Sequence, residues 1–128
     1  MTYKETLFFI ARCLTISLEE KNKKFVLLKL KSKEINWDDV VKLSTEHYVL
    51  PALYCNLKRV DFLNYLPKKL VIYMIKIPDI NRERNKEIIK QVKKLNKILL
   101  ANKINPIFLK GTGNLLDDLY EDMAERMV

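Results

Sequence analysis

The sequence predicts a mainly α fold: a helical N-terminal domain over residues 1–104, then one strand and one helix that open an incomplete α/β unit from residue 105. Three observations carry this reading. Apolar residues recur at helical spacing over most of the first hundred positions. The only two glycines, Gly111 and Gly113, lie together, which leaves room for one unusual turn in an otherwise helical chain. Asn105-Pro106 then breaks the pattern ahead of Ile107-Phe108-Leu109, a short continuous apolar run with the character of a buried strand.

The elements follow in order. Residues 3–15 carry Tyr3, Leu7, Ile10, Ala11 and Leu14 on one stripe, with Thr2 placed to cap it and Phe8 and Phe9 widening the apolar face. Residues 22–30 fit a helix through Phe25, Leu27 and Leu28, and a strand through Val26, Leu28 and Leu30; the helical neighbours favour helix. Asn36 is a good N-cap, Asp38 and Asp39 suit the positive end of the helix dipole, and Ile35 and Val40 have the spacing of a hydrophobic staple. This helix should run to about Tyr48. Pro51 opens a short helix through Leu57, and Pro67 opens another, which Pro78 must end or kink because it lacks a donor and crowds the preceding turn.

The longest helix begins near Asp79. Its stripe is Ile88, Val92, Leu95 and Leu99, flanked by Ile89, Ile98 and Leu100, with lysines over the rest: a core-facing helix with a basic outer face. Asn102 is placed for a left-handed cap. Beyond the break at Asn105, a strand over 107–109, a turn over Gly111–Gly113 and a helix through Leu115, Leu116, Leu119, Tyr120 and Met123 complete the reading. The boundary between 1–104 and 105–128 rests on that break, since no repeat or low-complexity linker is present.

Composition narrows the functional classes. At 128 residues with 48% apolar content, the chain is one domain or one domain plus part of another, and it can bury a core without disulfides. Cys13 and Cys55 sit in separate apolar segments, as reduced thiols of a cytoplasmic protein would, and no Cys/His spacing suggests zinc. Leu7 to Leu14 lacks the basic flank of a secretory signal, and no run approaches the ~18 apolar residues of a membrane span. The formal charge is +8, unevenly spread. Arg82, Arg84, Lys86, Lys90, Lys93, Lys94, Lys97 and Lys103 crowd one segment, whereas Asp117, Asp118, Glu121, Asp122 and Glu125 make the C-terminal stretch acidic.

Lys110-Gly111-Thr112-Gly113, between strand and helix, is the first candidate for chemistry. Glycine admits close backbone approach, a helix start offers N–H groups, and the lysine and hydroxyl add polar contacts; together they suit a phosphate. The order of residues is not that of a P-loop, and a plain strand-to-helix turn remains the alternative. A row of Lys90, Lys93, Lys94 and Lys97 could track phosphates. Without interleaved aromatics and with few arginines it would not read bases, and a solvated face is the simpler account. Asp118 and Asp122, at i, i+4 on the last helix, read as solvated rather than metal-binding. His47, the only histidine, reads as a structural residue near a helix end, and Trp37 as core.

Two residue patterns extend this. The first is Trp37, Leu43-Ser44, His47, Pro51, Leu53-Tyr54 and Leu57; the second is Leu109-Lys110-Gly111, Leu119-Tyr120 and Arg126. In order and spacing over about residues 35–128 they resemble an uncharacterised nucleotidyltransferase family of the DNA polymerase beta-like superfamily. The family usually has alanine where Ser44 stands, and an Asp-x-Asp pair a few residues after the arginine that corresponds to Arg126; that pair is not within these residues. The resemblance implies an α/β nucleotidyltransferase core beginning at 105, transfer of a nucleotidyl group from a nucleoside triphosphate to an acceptor, and Mg²⁺ held by the acidic pair. It implies that Lys110, Gly111 and Thr112 hold phosphate, with Lys90, Lys93, Lys94, Lys97 and Arg126 as candidates facing phosphate or acceptor. It further implies a fragment that ends before its metal motif, holds no Mg²⁺ or nucleotide by itself, and is catalytically incompetent as it stands. A strand at 107–109 without a sheet would expose a backbone edge, which predicts self-association through that segment. A non-enzymatic helical module, binding nucleic acid or protein through the basic face, is the alternative.

Overall fold

In the computed structural model, which describes residues 1–128, the first helix, α1 (Tyr3–Leu14), opens with a complete capping box. The Thr2 hydroxyl accepts from the Glu5 N–H, and the Glu5 carboxylate accepts from the Thr2 N–H. Donation from the Thr2 N–H, and then from its hydroxyl, holds the Glu5 carboxyl below its usual range. The ambiguous segment is helical, as α2 (Glu20–Ser32). It is tied to α1 by the Arg12 guanidinium stacked over the Phe25 ring, and by Asn22, which donates to Thr15 and accepts from Arg12.

Asn36 caps α3 (Trp37–Glu46), its side-chain oxygen accepting from the Asp38 and Asp39 N–H groups. Val40 is fully buried and Ile35 packs against the core. Pro51 lies in the first turn of α4 (Leu50–Arg59), and Pro67 immediately precedes α5 (Lys68–Met74). The break assigned to Pro78 falls earlier. Pro78 cannot donate to the Met74 carbonyl, so α5 ends there, and α6 (Lys76–Ala101) restarts with Pro78 in its first turn, where the missing donor costs little. At the far end the left-handed residue is Lys103, not Asn102; Asn102 instead donates from its side chain to the Ile98 carbonyl.

The core lies between α1, α3 and α4, closed by α2 and the start of α6. Phe9, Val26, Val40, Leu53, Leu57 and Met74 are among its fully buried side chains. The first sequence pattern is largely this core. Trp37 meets Phe9 edge-on at 6.2 Å, and Pro51, Leu53, Tyr54 and Leu57 are buried. Ser44 is completely buried and donates to the Val40 carbonyl at 2.6 Å, so an alanine-sized site takes a serine without leaving its hydroxyl unpaired.

The C-terminal stretch departs from expectation. There is no strand. Residues 104–109 have no regular secondary structure, and Ile107 and Leu109 are 83% and 71% exposed. A three-residue run cannot form a sheet without a second strand beside it. With no strand there, the expected strand edge is absent, and what the segment exposes is apolar side chains. The Lys110–Gly113 stretch is not a loop either: it is the first turn of α7 (Lys110–Leu116). That helix stops short of Leu119, Tyr120 and Met123, and a 3₁₀ turn over Met123–Glu125 follows. Asp117 and Asp118 end α7, so Asp118 and Asp122 share no helical face. The stripe on α6 is also only partly covered: Leu95 and Ile98 are about half exposed.

Candidate functional site

Residues 109–128 contain the second sequence pattern and fold back onto α4 and α6. Ala124 is fully buried in the main core. Asp122 accepts from the Ala124 N–H and caps the 3₁₀ turn. Its carboxylate meets the Arg82 guanidinium through two bonds, Nε–Oδ1 at 3.1 Å and Nη2–Oδ2 at 2.6 Å, while Arg82 Nη1 reaches Asp79. Arg59, on α4, pairs with Glu121 and Glu125. These contacts have electrostatic signatures. The hydrogen bonds from Arg82 hold the Asp122 carboxyl below its usual range, and Asp122 and Asp79 push the Arg82 guanidinium up. An open cleft of about 540 Å³ lies alongside, lined by Tyr54, Cys55, Lys58, Arg59, Arg82 and Asp122. Burial, then Asp122 and Glu125, raises the Cys55 thiol to about 11, which makes it unreactive at neutral pH.

Two residues that the sequence reading did not single out complete this arrangement. Asn81 and Asn85, one turn apart on α6, are buried. Asn81 Nδ2 donates to the Ala124 and Arg126 carbonyls at 2.6 and 2.9 Å. Asn85 Nδ2 donates to the Met123 and Arg126 carbonyls at 2.6 and 2.7 Å. Their signal was present: both fall on the row that Ile88, Val92 and Leu95 continue, and polar residues in an apolar register need partners.

Beyond the turn, the chain is extended at Arg126 and passes α7. A methyl group on Gly111 would lie 2.9 Å from Arg126 Nε, 3.1 Å from Arg126 Nη2 and 3.3 Å from a Val128 methyl carbon. Gly111 is buried beneath that side chain, Lys110 is exposed, and Thr112 is half-buried. Arg126 Nε is buried without a hydrogen-bond partner. The first turn of α7 has no side-chain cap. Neither glycine has a positive φ; the left-handed residue is Lys110, at φ 56°. The glycines are needed for close approach, Gly111 to Arg126 and Gly113 to the Phe108 carbonyl.

The remaining candidates lie elsewhere. Lys90, Lys93, Lys94 and Lys97 are exposed along the outer face of α6, where Lys86 and Lys90 have Glu83 and Glu87 nearby. His47 ends α3 and is exposed. Magnesium is a hard cation that wants carboxylate oxygens. Glu121, Asp122 and Glu125 face arginines, and no three His, Cys, Asp or Glu side chains converge as metal ligands. The side chains of residues 1–128 therefore form no metal-ligand cluster of their own.

No helix is long and apolar enough to cross a membrane. No curated protein and no solved structure matches the chain. The arrangement of α3, α4, the Lys110-Gly111 turn and Arg126 falls within residues 33–128, which match the model of a family described as uncharacterised nucleotidyltransferases, and the chain belongs to that family.

Proposed function

We propose that the chain serves nucleotidyl transfer from a nucleoside triphosphate to an acceptor, and that Lys110, Gly111 and Thr112, with Arg126, hold the phosphates. The observation that carries this reading is the Arg126 guanidinium lying on Gly111 beside Lys110, with its Nε unpartnered. Arg126 covers the Gly111 backbone and Lys110, its neighbour in the chain, is exposed, so two cations stand near the start of α7 for a phosphate chain to meet. Arginine binds phosphate through directed N–H groups and lysine as a point charge. Residues 1–128 supply binding and orientation in this reading, which replaces the expectation that they hold no nucleotide by themselves, and no metal-dependent step is assigned to them.

Titration calorimetry with ATP and AMP tests it. The triphosphate should bind more tightly than the monophosphate. Lys110→Ala and Arg126→Ala should each weaken ATP by about tenfold or more, as loss of a charge-assisted hydrogen bond does. No binding, or equal affinity for ATP and AMP, rejects the reading.

A second reading has its own observation. Lys86, Lys90, Lys93 and Lys97 follow one another at 4-3-4 spacing on the face opposite the apolar stripe, a row about 17 Å long at ~1.5 Å per residue. In this reading the row tracks the backbone of a nucleic acid, either as acceptor or as a partner of a non-enzymatic module. Gel shifts with single-stranded RNA should then weaken steeply with salt, and replacing Lys93 and Lys97 by Gln should reduce the log–log salt slope by roughly 0.7 per lysine. Salt-independent binding, or an unchanged slope, removes it.

A further inference from the structure

Asn81 and Asn85 spend all four of their amide hydrogens on three backbone carbonyls, those of Met123, Ala124 and Arg126. The Arg126 carbonyl receives one donor from each, which occupies both of its lone pairs and fixes its peptide plane in two directions. Packing alone does not call for this. The row Pro78, Asn81, Asn85, Ile88, Val92, Leu95, Leu99 keeps a 3-4 spacing, and leucine at 81 and 85 would extend the apolar stripe. Asn85 also leaves its Oδ1 buried and unpartnered, a cost that an apolar side chain would avoid. Polar groups at apolar positions specify geometry at the expense of stability. The geometry specified here is the backbone from which the Arg126 side chain reaches Gly111.

We propose that Asn81 and Asn85 are positioning residues: the helical domain, through α6, sets the Arg126 guanidinium at the phosphate site. The inference rests on the reading of Arg126 as a phosphate-binding residue. It adds that the site is built jointly by the helical domain and the C-terminal segment.

A double-mutant cycle tests it, read as affinity for sodium tripolyphosphate and ATP in the full chain. Asn85→Ala should weaken both ligands by about tenfold, through the loss of one bond to the Arg126 carbonyl and one to the Met123 carbonyl of the same turn. Arg126→Ala should weaken them at least as much. The combined variant should bind like Arg126→Ala alone, because Asn85 acts only through Arg126. A merely structural role gives multiplying effects and overturns the proposal. Asn81→Ala, which leaves the Asn85 bonds in place, runs the same cycle if Asn85→Ala does not fold. If the unaltered chain binds neither ligand, the phosphate reading and the positioning role fall together. If Arg126→Ala loses binding while both asparagine variants bind like the unaltered chain, the positioning role falls alone.

Discussion

A methyl group on Gly113 would sit 2.6 Å from the Phe108 carbonyl oxygen, a backbone atom that cannot turn aside. Alanine there would gain about 1 kcal/mol of helix propensity and lose more to a forced shift of the 108–113 backbone. Gly113→Ala should cost about 1–3 kcal/mol net in urea denaturation, through a lower midpoint at unchanged slope. Gly111 presents the opposite case. Its neighbours are the end of a long arginine and a valine methyl, both able to move. Gly111→Ala should leave the midpoint nearly unchanged and yet displace Arg126, so that ATP affinity falls. The two glycines thus separate a backbone requirement from a site requirement. Equal destabilisation by both, with ATP affinity untouched at 111, would contradict this division.

At the scale of elements, what could be read from sequence followed the locality of its cause. Caps and prolines act within one turn, so Thr2, Asn36, Pro51 and Pro67 mark their helices where expected. Pro78 shows the limit: the chemistry was read correctly, but the donor it lacks is the one owed to Met74, so the break appears upstream. The C-terminal segment was misread because its conformation is set from a distance. Leu119, Tyr120 and Met123 have helical spacing, but Asp122, Glu121 and Glu125 are drawn to arginines on α6 and α4 that lie 40 or more positions away in the chain. Propensity yields to such tertiary contacts. The apolar run at 107–109 looked like a strand by pattern alone, and pattern does not supply the partner strand. Of the candidate site, Lys110, Gly111, Thr112 and Arg126 were named from sequence. That Arg126 reaches Gly111, and that asparagines hold its backbone, required the fold.

At the scale of the molecule, two kinds of clasp join the helical domain to its C-terminal segment, and they respond differently to conditions. The asparagine–carbonyl bonds are neutral and buried, each contributing about 1 kcal/mol, and neither acid nor salt removes them. The ionic clasps through Arg59 and Arg82 are partly exposed, worth roughly 0–1 kcal/mol each and weakened by salt. Within the ionic set, Asp122 responds to acid. Arg82 holds the folded-state pKa of Asp122 below its ordinary value of 3.8, so the folded chain binds that proton less readily than the unfolded chain does. The stabilisation from Asp122 is therefore complete above about pH 4 to 5 and is lost as pH falls through the lower folded value. Arg82, whose guanidinium is pushed up, stays charged throughout. Amide hydrogen exchange over residues 121–126, compared with that of α4, should show full protection at pH 6 and selective loosening as pH is lowered beneath the ordinary aspartate value. Asp122→Asn should remove the selective part, because the amide cannot titrate, while the asparagine clasp keeps the segment loosely docked. Protection that falls equally in α4 and in 121–126 would mean that the segment does not undock separately, and the helical domain and its C-terminal segment would then have to be treated as one cooperative unit.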